Sequence, residues 1–331
     1  MLPARWNRYE STAMLSRLLA TLLLALLTLL GGHAEAGEPI WFYRAESPAG
    51  RVTYFYPSFH LRDERVPRPP ESVLDHRSEL VIEADITELK AHPETLVPYI
   101  LSPKPVDLAA LFTPAEIDAI RARAACNGVA PLLNRLRLFY VGMFVALPCP
   151  KADSGTYEEV MAAAAKKRGI KVGALEQVGE QFTVMAALPD RFAIESIKEY
   201  AGHPERAEEV VARMIALYNA GKYDELYSLA LEEGPKNPAD SKLFMDKLIL
   251  ERNRHMVERM GGMLQRGNAL IVVGALHFPG KDGIVDLLRR QHYQVSEIDA
   301  SSGILPSRRR FCASGWCSLS RRWSRSACTW V

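Results

Sequence analysis

Cysteine is scarce in this sequence of 331 residues. It has five cysteines, and only Cys126 and Cys149 precede position 307. No pair has the C-x-x-C spacing of a zinc ribbon or a dithiol redox centre, which argues against both classes. In an oxidising compartment the two isolated thiols could pair, but their spacing decides neither for nor against a disulfide.

Three motifs that mark common enzyme classes are also missing. The sequence has no glycine-rich phosphate loop, no G-x-S-x-G nucleophile elbow and no H-E-x-x-H zinc helix. The nearest approach to a phosphate loop is "GKDGIVDLL", where Asp282 and Gly283 stand in place of the required Ser or Thr after the lysine. These absences argue against nucleotide-driven chemistry and against serine hydrolysis.

An excess of basic residues is lacking in the part of the chain that is expected to fold. The formal charge of +2 reflects basic ends, since residues 307–331 carry six arginines and no acid. Between Gly37 and Pro306, acidic residues outnumber basic residues by 37 to 32. A nucleic-acid binder needs a basic face, so we expect no nucleic acid as a partner.

The clearest feature that is present is an export signal. Arg17 precedes an apolar stretch from Leu18 to Leu30, and Ala34-Glu35-Ala36 follows. A basic residue, an apolar helix and an A-x-A site are the parts of a cleavable signal peptide. We expect residues 1–36 to be removed after Ala36 and the mature protein to be periplasmic or secreted. The apolar run is short for a span, so membrane contact is expected only if the signal stays uncleaved.

Apolar runs and helical patterns alternate along the rest of the chain. Between Arg191 and Arg266, apolar residues recur at three- and four-residue spacing, which is typical of helices. We expect one α/β (α+β) domain over residues 37–306 with an α-helical insert, and a disordered basic tail at 307–331. The extended runs are Ile40–Arg44, Arg51–Tyr56, Ser78–Ile86, Ile170–Glu176, Ala269–Leu276 and Tyr293–Ile298.

Two of the apolar runs lead to a histidine. "VTYFYPSFH" ends at His60 and "ALIVVGALH" ends at His277. Ligands of open α/β sheets bind outside the carboxyl ends of the strands, so the two histidines are candidates for a shared site. A structural role is the alternative for each histidine taken alone. Gly274, three residues before His277, would allow another group to approach closely.

Glu83 interrupts a third apolar run, "LVIEADI". An unpaired carboxylate is costly to bury. Glu83 is therefore expected either to reach solvent or an arginine, or to serve at the strand end as a metal ligand or general base.

In their order along the chain, these segments resemble the TraB/GumN family, which is related to Tiki-type metalloproteases. The resemblance covers Ile40 to Ile298. The matching segments are "PSFH" (the first GxxH-like motif), "LVIEADI", "GALEQVGEQ", "ERN" at 251–253 and "VGALHFPGKDG", which holds the second histidine.

The resemblance implies a mixed sheet with flanking helices, built from two related halves. It also implies that His60, His277 and Glu83 are the catalytic residues and hold a divalent metal ion (Mn, Co or Zn). Second-tier site residues are Ser58, Glu176, Arg252 and Gly274.

The activity implied by the resemblance is that of an exported, metal-dependent peptidase acting on peptides or secreted polypeptides. The alternative is a non-catalytic protein on the same fold that sequesters a peptide or assists polysaccharide export at the cell envelope. Pro57 stands where the first family motif has glycine. Because proline fixes φ and lacks an N–H, we expect the loop before His60 to depart from the family's shape.

Overall fold

The computed structural model describes residues 40–60, 63–85, 93–149 and 156–300. The expected signal peptide and the tail at 307–331 lie outside these ranges, so both stay predictions. None of the described helices combines the length and the apolar character that a membrane span requires.

Six strands of the described ranges form one mixed sheet with the order β4-β3-β5-β2-β1-β6. β2, β5, β3 and β4 run parallel to one another, whereas β1 pairs antiparallel with β2 and β6. The mixed sheet confirms the fold class. The strands are β1 (Trp41–Glu46), β2 (Val52–Ser58), β3 (Glu79–Ala84), β4 (Lys171–Glu176), β5 (Ala269–Gly274) and β6 (Gln294–Asp299).

Helices flank the sheet and fill its long connections. Those expected between Arg191 and Arg266 are present, and together with the helix before them they form the connection from β4 to β5. The α-helices are α1 (Val97–Ile100), α2 (Pro114–Cys126), α3 (Leu138–Ala146), α4 (Tyr157–Lys167), α5 (Val178–Ala186), α6 (Asp190–Gly202), α7 (Pro204–Asn219), α8 (Tyr223–Glu233), α9 (Pro238–Met245), α10 (Glu251–Arg266) and α11 (Ile284–Arg290). A π-helical turn spans Asp246–Leu250, and 3₁₀ turns span Glu71–Leu74, Pro93–Leu96, Leu108–Ala110, Ala130–Arg135 and Ala275–His277.

Local sequence signals explain where several helices begin and end. At the start of α2, the Thr113 side chain accepts a hydrogen bond from the Glu116 amide, and Glu116 accepts one from the Thr113 amide. This reciprocal pair satisfies two amides that lack a partner within the helix. After α4, Gly169 has a φ of +70°, which favours glycine and turns the chain towards β4.

The central strand β5 is buried along its whole length. Ile271 and Val273 belong to the apolar cluster that contains α10, whereas Leu270 and Val272 belong to the cluster that contains α4. A parallel strand covered on both faces is expected to be continuously apolar, which explains the run before His277. A third apolar cluster joins α2, α3 and α6.

Cys126 and Cys149 form a disulfide, which answers the question that their spacing left open. Cys126 ends α2, and Cys149 follows α3. The bond joins residues 23 positions apart and ties the end of α2 to the chain that follows α3.

Reduction of this disulfide should lower the free energy of unfolding by about 3 kcal/mol, because the cross-link restricts the unfolded chain. Urea unfolding of the protein with and without a dithiol reductant measures the change. The Cys126→Ser/Cys149→Ser double variant is the control, and it should begin at the lower stability and not respond to the reductant. A wild-type midpoint unchanged by the reductant would contradict the prediction.

Candidate functional site

The polar candidates gather at one edge of the sheet, where the parallel strands end. Most of them line a single cavity of about 450 Å³. Parallel strands present their carboxyl ends at a common edge, so residues distant in sequence meet there. The residues that end or follow the strands are Ser58 and His60 (β2), Glu83 (β3), Glu176 (β4), and Gly274 and His277 (β5).

Pro57 is accommodated without interrupting β2. The register of β2 with β1 runs from Val52 to Phe55, so the missing proline N–H falls beyond that ladder. On the other side Pro57 pairs with β5, and its carbonyl accepts a hydrogen bond from the Tyr218 hydroxyl at 2.7 Å. The strand therefore continues to Ser58 and delivers His60 to the cavity.

Glu83 lies at the centre of the site and is 6% exposed. Its Oε2 accepts a hydrogen bond from the Gly274 amide at 2.8 Å. Its Oε1 accepts hydrogen bonds from the Gln181 side chain at 2.9 Å and from the Arg252 guanidinium. The pairing with Arg252 thus offsets the free-energy cost of burying this carboxylate.

Arg252 joins Glu83 to Glu176. Its Nη2 donates to Glu176 Oε2 at 2.7 Å, its Nε donates to Glu176 Oε1 at 3.1 Å, and its Nη1 donates to the Leu248 carbonyl at 2.9 Å. Leu248 lies in the π-helical turn before α10, and such turns are frequent at functional sites. The guanidinium and two carboxylates form a buried triad at the ends of β3 and β4.

The orientation of His277 follows from Asn253. The Asn253 side-chain amide donates to the Asp282 carbonyl at 2.9 Å. Its oxygen is therefore the atom that faces His277 Nδ1 at 2.6 Å, which assigns the imidazole proton to Nδ1. Burial lowers the pKa of His277 to about 3, so the ring is neutral. Its Nε2 lone pair points towards Glu83 Oε1 at 3.8 Å.

Glu158 orients His60 in the same way. Glu158 Oε1 accepts from the Ser58 hydroxyl at 2.5 Å and from His60 Nδ1 at 2.9 Å. His60 Nε2 then faces Glu83 Oε2 at 3.5 Å. Partial burial opposes a charge on His60, but the hydrogen bonds to Glu158 and Glu83 outweigh it and raise the pKa of His60 well above its usual value. The ring is 54% exposed and forms the accessible side of the site.

The charges of these groups explain the ionisation of Glu83. Burial raises the pKa of Glu83, but His277, His60 and Arg252 outweigh it and hold the pKa well below its usual value. Because His277 is neutral near pH 7, Arg252 and His60 carry this effect there. Glu83 is therefore a carboxylate.

Whether His60, His277 and Glu83 suit a divalent metal ion depends on which of their atoms are free to act as ligands. Both imidazoles keep Nδ1 occupied and direct Nε2 at one carboxylate, which is the arrangement of metal-binding histidines. Three carboxylates are buried in and beside the site, namely Glu83, Glu158 and Glu176, and Arg252 pairs with the first and the last, so the site can accept a cation. As placed, the described ranges contain no group of three or more His, Cys, Asp or Glu side chains that could hold a metal ion. Glu83 would have to release a present partner to act as a ligand.

Glu158 was not predicted from the sequence as a site residue. It stands at the second position of α4 beside Glu159, whose side chain accepts from the Thr156 amide at 2.7 Å. Two adjacent acids at a helix start are typical of capping and of the helix dipole. Capping requires only one of these two acids. The presence of a second acid was therefore the only sign in the sequence that Glu158 has another role.

Fold and site define an α+β protein in which two strand-end histidines flank one buried glutamate. The model of the TraB/PrgY/gumN family matches residues 41–297, and the chain belongs to this family. The resemblance read from the motifs is thereby confirmed. Searches of curated proteins and of solved structures found no significant match, so function has to be argued from the chain's own residues.

Replacing Arg252 with methionine should lower the free energy of unfolding by about 3–5 kcal/mol, because Glu83 and Glu176 would be left buried without a cation. Urea unfolding measures the loss. Arg254→Met is the matched control on the same helix, since Arg254 is exposed, and it should change stability by less than about 0.5 kcal/mol. Equal effects of the two substitutions would show that the buried triad contributes nothing.

A Gly274→Ala substitution should displace the His60 ring. A Cβ at this position would lie 2.5 Å from His60 Nε2, which is closer than the atoms can approach. The NMR signals of the His60 imidazole should therefore move from their wild-type positions. Gly261→Ala, which meets no atom within 4 Å, is the control and should leave those signals in place. An unmoved His60 ring in Gly274→Ala would refute the close approach.

Proposed function

We propose that the protein is an exported, metal-dependent hydrolase, and specifically a peptidase acting on peptides or secreted polypeptides. One observation carries the proposal. The Nε2 atoms of His60 and His277 both face the Glu83 carboxylate, and each ring is fixed through its Nδ1. His277 Nε2 is an acceptor, and His60 Nε2 becomes one when its ring releases the second proton, so the two atoms and Glu83 can hold a cation between them.

In this proposal His60 and His277 hold a divalent ion, and Glu83 acts as a third ligand or as the base that takes a proton from water. A bound ion of this kind lowers the pKa of a water molecule and polarises a carbonyl group. Asn253 keeps the neutral His277 in the tautomer that leaves Nε2 available, and Glu158 does the same for His60 once a bound ion displaces its Nε2 proton. Arg252 keeps Glu83 ionised.

The cavity wall supports a peptide as the ligand. Next to the polar groups it is lined by apolar side chains, namely Phe59, Met185, Met214, Leu226, Ile249 and Leu276. An apolar wall with a few convergent polar groups is typical of small-ligand sites, and methionines adapt to side chains of different shape. The Cys126–Cys149 disulfide supports export, since such bonds persist in oxidising compartments.

One observation favours the alternative, a protein that sequesters a peptide without cleaving it. Both oxygens of Glu83 already have partners, and the described residues hold no ready group of three metal ligands. Binding in the cavity requires neither a metal nor a change at Glu83.

Metal analysis and a peptide-cleavage screen with added Mn, Co or Zn separate the two functions. The wild-type protein should bind metal and cleave peptides, and His277→Ala should lower metal affinity by at least roughly tenfold to a hundredfold and abolish cleavage. His255→Ala is the control, since His255 is an exposed histidine of α10 outside the cavity, and it should behave as wild type.

Two results would decide against an enzyme. Absence of both metal and cleavage under all three metals would overturn the hydrolase. Peptide binding without cleavage would establish sequestration instead.

A further inference from the structure

One side-chain oxygen of Glu158 has no hydrogen-bond partner among the described residues. Its Oε1 is bound by Ser58 and His60, but its Oε2 is buried without a hydrogen bond. The residue is only 6% exposed and lines the cavity. A buried carboxylate oxygen without a donor is costly, so a ligand that brings a donor to this point would be stabilised there.

Among the described residues that line the cavity, no cation is left over for this oxygen, since His60 already contacts the other oxygen of Glu158. Of the described residues that line it, none is a lysine, and Arg252 is the only arginine. Arg252 already donates to Glu83, Glu176 and the Leu248 carbonyl. A ligand that carries a donor would satisfy this oxygen, and a cationic donor binds a buried carboxylate most strongly.

The spacing of the two carboxylates suggests which cation. Glu158 touches Nδ1 of His60, and Glu83 faces Nε2 of the same ring. The carboxylates are thus separated by the ring and by its contacts of 2.9 Å to Glu158 and 3.5 Å to Glu83. In a peptide, a single α-carbon separates the terminal amine from the first carbonyl carbon. An amine at Glu158 would therefore place the first carbonyl near the His60 ring.

We propose that Glu158 binds the protonated α-amine at the N-terminus of a peptide whose first side chain is apolar. The apolar wall formed by Met185, Met214 and Leu226 is available for that side chain. The inference rests on the proposed function in taking the ligand to be a peptide, but the binding step requires no metal.

In an active enzyme, binding of the terminal amine at Glu158 directs hydrolysis to the first peptide bond. The oxygen of water bonds to the carbonyl carbon, the C–N bond breaks, and a proton passes to the leaving amine.

The test compares two peptides that differ only at the N-terminus. Both begin with leucine and carry a fluorophore at the carboxyl end, and one is N-acetylated. Their Kd values are measured on the full chain in the presence of a chelator. The free amine should bind about ten- to a hundredfold more tightly, because a charged hydrogen bond is lost on acetylation.

Glu158→Gln is the decisive variant. Its amide oxygen can still accept from Ser58 and His60, but an NH₂ group replaces the free oxygen and cannot accept from an ammonium group. The variant should lose the preference for the free amine. Glu159→Gln is the control, since Glu159 lies beside it on α4 but does not line the cavity, and it should keep the preference.

Each remaining outcome has a definite meaning. Equal affinity for the two peptides, a preference that survives in Glu158→Gln, or failure to bind either peptide would overturn the inference. Metal-dependent cleavage of both peptides at equal rates would overturn it while leaving the hydrolase proposal standing. A preference for the free amine without cleavage would support it and count against turnover.

Discussion

The buried ion pairs of Arg252 hold the site together. One guanidinium links the end of β3, through Glu83, to the end of β4, through Glu176, and reaches both from α10. Removing charges from water is costly, and their mutual attraction offsets that cost only when hydrogen bonds saturate the group. Here Gln181 adds a donor to each carboxylate. The ion pairs of Arg252 therefore fix the geometry and the charge of the site. They need not give the folded protein a higher free energy of unfolding than apolar side chains would at the same positions.

The parallel strands explain why such a group can exist in this protein. β5 is apolar over its whole length and is covered on both faces, so it provides a rigid support. Polar atoms appear only where the strands stop. Gly274 ends β5 and has no side chain, which leaves space for the His60 ring, while its amide donates to Glu83. One glycine thus serves both the accessible histidine and the central carboxylate.

Much of this could be predicted from the sequence. Continuous apolar runs predicted the buried strands, and the histidines that end two of them predicted a shared edge. The partners of those histidines could not be predicted, because Glu158 and Asn253 meet their rings through contacts across 98 and 24 positions of the chain. The expected departure of the loop before His60 from the family's shape stays a prediction, while β2 itself continues to Ser58 because its ladder with β1 ends before Pro57. Such outcomes depend on register, which local sequence does not determine.

His60 and His277 share a strand-end position but differ in their surroundings. His277 has a 4% exposed side chain and an amide as its partner, whereas His60 is 54% exposed and has a carboxylate as its partner. His277 is thus held inside the site, whereas His60 stands between Glu158 and Glu83 on the accessible side of the site. A cation on either side of the His60 ring meets a carboxylate. In the two proposals the ring lies between the position of the metal ion, beside Glu83, and that of the peptide amine, at Glu158. A peptide terminus and a metal ion could occupy them together, since neither needs the oxygen or nitrogen that the other uses.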